Sequence, residues 1–126
     1  MSNKTLIIDC HGHYTTAPDE LGDYREQQKK DVKADPLFEH VKGIIAITDD
    51  QIRDSLEGAQ LKLQRERGTD VAIFSPRARW MGHHIGNQST SQYWTEHCND
   101  LIYRITQLYP QNFIGAAQLP QSPQAD

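Results

Sequence analysis

The sequence predicts an α/β fold built on a parallel sheet, and three observations carry that reading. Three short apolar runs, Thr5-Leu-Ile-Ile-Asp9, Val71-Ala-Ile-Phe74 and Phe113-Ile-Gly-Ala-Ala117, read as buried strands. Helical stretches with one apolar face separate them. Polar, histidine-bearing or proline-bearing residues follow each run abruptly, at the strand end where β/α barrels assemble their sites.

Taken in order, the first run stops at Cys-His-Gly-His-Tyr. The stretch from Thr15 to Thr48 is long and mostly polar, with a short solvated helix expected after Pro18 and an interruption at Pro36. Its length exceeds an ordinary βα loop and suits a lid or binding loop. A strong helix is expected from Thr48, a capping residue, with Asp49 and Asp50 at its positive end. Ile52, Leu56, Ala59 and Leu63 form its apolar face, and Gly68 stops it after Arg65 and Arg67. Beyond Phe74, Ser75-Pro76-Arg77 ends the second strand, and a Gly-, His- and Asn-rich loop runs to about Asn87. The next helix spans about Ser89 to Tyr109, with Trp94, Cys98, Leu101, Ile105 and Leu108 inward and Asn99 beside that stripe, placed to tie helix to strand.

Strands that alternate with helices imply a parallel sheet, and such a sheet needs both faces covered. Three strands and two main helices do not cover it. The expectation is therefore the N-terminal portion of a (β/α)8 TIM barrel, with residues 1–126 as a partial barrel domain cut at about the third of eight units. The net charge of −4 argues against a non-specific nucleic-acid binder, which needs a basic face. The apolar run near the N-terminus is too short for a signal peptide or a membrane span. Two cysteines make no disulfide framework, so free thiols in a reducing cytoplasm are expected.

His11 and His13 carry the chemistry. Residues two apart project to the same side of a strand, so two imidazoles at its end can share one Zn2+ ion. Gly12 lets the backbone approach the site closely. The alternative is a pair of loop histidines making ordinary hydrogen bonds; placement directly after Leu-Ile-Ile-Asp favours the metal. Catalytic zinc takes three protein ligands, so further ligands are expected beyond Asp126. Ser75 and Arg77 occupy the matching position after the second strand. Arg77 either clasps a substrate carboxylate or makes a surface salt bridge. His83 and His84 lie within reach of the site, or are simply solvated. Cys10 is expected to pack as a small buried group.

Ile-Ile-Asp-Cys-His-Gly-His-Tyr (7–14) resembles the first metal-binding strand of the amidohydrolase-2 branch of the amidohydrolase superfamily. Residues 98–121 are similar to that branch's helix, Pro, Phe-x-Gly and Leu-Pro pattern. His-Gly-His-Tyr-Thr-Thr-Ala-Pro (11–18), Phe-Ser-Pro-Arg-Ala (74–78), His-His-Ile-Gly (83–86) and Leu-Pro-Gln-Ser-Pro (119–123) resemble the 4-oxalomesaconate hydratases within it. The resemblance implies a zinc lyase of protocatechuate and gallate degradation. Such an enzyme adds water to the double bond of 4-oxalomesaconate, giving 4-carboxy-4-hydroxy-2-oxoadipate. It also implies that His11 and His13 are the metal pair and that the acid–base residue lies further on; from their position after the second strand, Ser75, Arg77, His83 and His84 are the expected contacts of the polycarboxylate substrate. The expected full-length protein is a cytoplasmic enzyme and a candidate homo-oligomer, with neither nucleic-acid nor membrane partners. A zinc decarboxylase of the same branch and an inactive metal-binding fragment are the competing readings.

Overall fold

A computed structural model of the chain describes residues 3–77, 80–82 and 84–121. The elements are β1 (Ile8–Tyr14), α1 (Asp19–Ala34), α2 (Asp49–Glu57), α3 (Gln60–Arg67), β2 (Val71–Pro76), α4 (Gln88–Leu108) and β3 (Phe113–Gly115). The strands form one parallel sheet in the order β1-β2-β3. The α/β class is as the alternation of runs and helical stretches predicts.

The core lies on one face of this sheet. Along β2, Ala72, Phe74 and Pro76 are buried while Val71, Ile73 and Ser75 are half-buried, the period-two alternation of a strand. Ala72 and Phe74 meet Ile52, Leu56 and Leu61 from the first crossover and Trp94, Cys98, Leu101 and Ile105 from α4. The opposite face carries Ile8 beside Val71 and Ile73 beside Ile114, because partners across a register share a face. Ile8 and Ile114 remain about half exposed there.

Several expectations change. The first strand does not stop at Asp9; it begins at Ile8 and runs through the His-Gly-His motif. It is an exposed edge rather than a buried strand, since among the described residues only β2 pairs with it. Cys10, expected to be buried, is accordingly exposed. The helix expected from Thr48 to Arg67 is two helices. Thr48 caps α2 through a reciprocal pair with Gln51, but the chain breaks at Gly58 and at Ala59, whose φ and ψ are −139° and −94°. The break shifts the apolar phase: Leu61 is fully buried and Leu63 turns outward. Gly68 stops α3 in the left-handed region at φ +71°, open to glycine without a Cβ penalty. The apolar stripe expected on α4 is buried at Trp94, Cys98, Leu101 and Ile105, and Asn87 caps the helix. Asn99 does tie this helix to the chain after β3, exchanging two hydrogen bonds with the Gln118 backbone.

The long stretch before α2 is not a loose loop. It contains α1, a 16-residue helix that is buried at Leu21 and Gln28 rather than solvated throughout. Asp35 leaves the helix in an extended conformation, as the residue before Pro36 must. The strap that follows is pinned between helices. Asn87 donates to the Phe38 carbonyl (2.7 Å), Ser89 Oγ accepts from the His40 amide (3.0 Å), and the Lys42 carbonyl receives the Tyr24 hydroxyl (3.1 Å).

Gly12 fixes which side of β1 meets the core. A Cβ there would stand 3.0 Å from the Phe74 ring and 3.1 Å from the Ile73 carbonyl oxygen. The backbone oxygen cannot retreat without breaking the sheet. Gly12→Ala is therefore expected to destabilise the chain by about 1–3 kcal/mol, as overpacking does. A urea melt checks this, and a midpoint equal to the parent's would show that the strand tolerates a side chain on that face.

Candidate metal centre at the sheet mouth

Since Gly12 faces Phe74, His11 and His13 face the other way, onto the uncovered side of the sheet. The register shifts between Asp9 and Gly12, a bulge of the kind that re-aims side chains. Asp9 holds it: its carboxylate accepts the His11 amide at 3.0 Å. The two imidazoles then meet edge to face, with Nε2 of His11 2.9 Å from Nε2 of His13.

The hydrogen bonds around His13 determine its tautomer. Its Nδ1 lies 3.2 Å from the Pro76 carbonyl oxygen, which can only accept, and 2.7 Å from Ser75 Oγ. Ser75 in turn donates to the Gly12 carbonyl at 3.2 Å. His13 Nδ1 therefore carries the proton, and Nε2 presents its lone pair toward His11. An acceptor on the far nitrogen of this kind orients the ring of a histidine that binds metal through the other. Two zinc–nitrogen bonds of about 2.0–2.1 Å at a tetrahedral angle set the nitrogens about 3.3 Å apart. The observed pair needs to open by only a few tenths of an ångström, so the donor set fits a zinc ion. Among the described residues no group of three or more His, Cys, Asp or Glu could hold a metal ion, so the pair would offer such an ion two of its ligands.

The loop leaving β1 is clamped from behind by the two short helices. Tyr14 is buried and shares a 2.6 Å hydrogen bond with Ser55, and burial pushes its phenol pKa upward. The Thr16 hydroxyl donates to the Gln60 side chain at 2.8 Å, and Gln60 donates to the Thr15 hydroxyl at 3.2 Å. The break at Gly58-Ala59 separates these two anchors, leaving Ser55 on α2 and Gln60 as the first residue of α3.

Arg77 follows Pro76 at the same strand end. It is exposed, and its guanidinium carbon lies 5.3 Å from the centre of the Trp80 ring. His84 is exposed, and its ring closes over Gly82, where a Cβ would come within 2.8 Å of it. His83 lies outside the described residues.

No protein-family model matches the chain. Over 122 residues the chain is 48% identical to the 2-keto-4-carboxy-3-hexenedioate hydratase of Sphingobium sp. (strain NBRC 103272 / SYK-6). The crystal structure of 4-oxalomesaconate hydratase from Rhodopseudomonas palustris superposes with a TM-score of 0.81 at 46% identity. This chain is a relative of the 4-oxalomesaconate hydratases. Each match covers 96% of this chain and 35% of the other protein, so the chain spans about a third of these relatives' length.

Against these hydratase relatives, the structure brings His11, His13 and Ser75 into one cluster and sets Arg77 beside it in sequence, after Pro76. The Ser75 hydroxyl is committed to Gly12 and His13. Asp9, Ser55 and Gln60 were not legible as site residues. Only the Asp two positions before the first histidine offered a signal, as a side chain able to bond backbone two residues on. The tautomer assignment is directly testable. Long-range nitrogen–proton spectra of the metal-free chain, with its histidines neutral, should show His13 protonated at Nδ1. Protonation at Nε2 would remove the preset ligand.

Proposed function

We propose that this chain is part of a zinc-dependent 4-oxalomesaconate hydratase of the amidohydrolase superfamily, and that His11 and His13 are two of its zinc ligands. The convergence of two imidazole Nε2 atoms at the C-terminal end of a parallel strand, in a relative of proteins named as hydratases, carries the reading. Residues 1–126 would be part of one (β/α)8 barrel. Its interior is the face bearing Ile8, Val71, Ile73, Ile114 and, at the rim, the histidines. Parallel sheets have both faces covered, which supports a larger barrel closing over this one. The remaining ligands and the acid–base group would come from barrel units beyond these three strands. The free thiols suit a reducing cytoplasm.

His11 and His13 would hold the zinc, which would supply Lewis-acid chemistry, either polarising a substrate oxygen or lowering the pKa of water. The chain's own residues supply position. Pro76 and Ser75 hold His13 in the tautomer that offers Nε2 outward. Arg77 binds a carboxylate of the polyanionic substrate, so that water meets one carbon of the double bond. The product, 4-carboxy-4-hydroxy-2-oxoadipate, gains the hydroxyl and a proton and loses only the alkene.

A chimera in which this chain replaces the matching 122 residues of the Sphingobium hydratase tests the proposal. It should consume 4-oxalomesaconate with loss of the conjugated chromophore and without carbon dioxide release. His11→Ala or His13→Ala should remove both zinc and turnover. Arg77→Ala should lower kcat/KM roughly tenfold to a hundredfold, the worth of one charged hydrogen bond. Stoichiometric zinc and near-normal turnover in either histidine variant would defeat the assignment, and carbon dioxide release would redirect it to a decarboxylase.

A further inference from the structure

Trp80 takes no part in the site as described so far, yet two arginines converge on it. The Arg77 guanidinium carbon lies 5.3 Å from its ring centre and that of Arg25 lies 5.6 Å away. Both distances fall within reach of a cation–π contact, which is strongest over an indole. Arg25 reaches it from α1, and its Nε also donates to the Trp80 backbone carbonyl. The Trp80 amide donates to the Arg77 carbonyl at 3.3 Å, so the backbone also holds the indole near that arginine. The ring is fixed from further sides: it meets Trp94 of the core edge to face at 5.8 Å, and it passes close to Gly22 of α1.

We infer that Trp80 is a positioning residue that holds the Arg77 guanidinium at the sheet mouth, and that α1 exists in part to hold Trp80. The inference rests on the proposed carboxylate role of Arg77. An exposed arginine loses rotamer freedom when it binds an anion, and a platform under its planar group removes part of that cost before binding. Arg25 serves the indole rather than the anion. Its guanidinium is spent on the Trp80 carbonyl and on Glu26, and its side chain is only 17% exposed. The long stretch before α2 thereby acquires a role as a buttress for the binding mouth.

The test uses the chain itself and tricarballylate, a saturated tricarboxylate, as the anion. In nitrogen–proton spectra of arginine side chains, the Arg77 signal, assigned by its loss in Arg77→Lys, should be displaced by the indole ring current. It should move saturably as tricarballylate is added. Trp80→Leu should abolish the ring-current displacement and raise the Kd roughly two- to thirtyfold, the range a cation–π contact spans. Trp80→Phe should restore part of both. Should Trp80→Leu fail to fold, Arg25→Gln, which frees the Trp80 carbonyl but leaves the core intact, should reduce the displacement and raise the Kd at least twofold. An unchanged Kd in Trp80→Leu, or in Arg25→Gln if that is the variant that folds, overturns the positioning role. An Arg77 signal that tricarballylate never moves, with wild-type ring current present, overturns the carboxylate reading beneath it instead.

Discussion

The contact between Gly12 and the Phe74 ring decides the orientation of everything else at the sheet mouth. Phe74 is almost fully buried, and a Cβ at position 12 would meet both its ring and a backbone carbonyl of the same strand. That side of β1 therefore has to be bare of side chain. Alternation along the strand then sends His11 and His13 to the opposite side, beside Ser75. A packing constraint in the core thus sets the direction of two side chains whose chemistry lies outside it.

Holding direction is not enough to make a ligand pair; the rings must also be stopped from rotating. Each restraint comes from a different element. Asp9 fixes the bulge, the Pro76 carbonyl and Ser75 fix the His13 ring, and Ser55 and Gln60 fix the chain that leaves the strand. The break at Gly58-Ala59 interrupts a helix that would otherwise continue, and it separates the two residues that grip the loop from Tyr14 to Thr16. Its cost in helix propensity falls on a segment whose apolar residues, Leu56 and Leu61, remain fully buried on either side of it.

The parts of this arrangement legible in the sequence are those with a local physical signature. Thr48 before Asp49-Asp50, Gly68 after two arginines, and the Trp94–Ile105 stripe each encode their own structure, and each appears where expected. The histidine pair was legible because two positions on a strand share a side. What could not be read was set by distant partners. Leu63 and Leu61 exchange places because a backbone break shifts the phase, and no period across that helix announces it. Cys10 directly follows an apolar run that reads as buried, but the sheet has no strand on its outer side among the described residues. Trp80 sits in a polar loop, and its meaning depends on Arg25, more than fifty residues away in the chain.

The account stands on the two imidazoles acting together on one ion. Crystals grown with zinc and measured on both sides of the zinc absorption edge test this most directly. The account predicts one anomalous peak about 2.0–2.1 Å from Nε2 of both His11 and His13, with the two nitrogens moved slightly apart and His13 Nδ1 still directed at Pro76 and Ser75. No peak between the rings, or a peak bound through Nδ1 of His13, would contradict it.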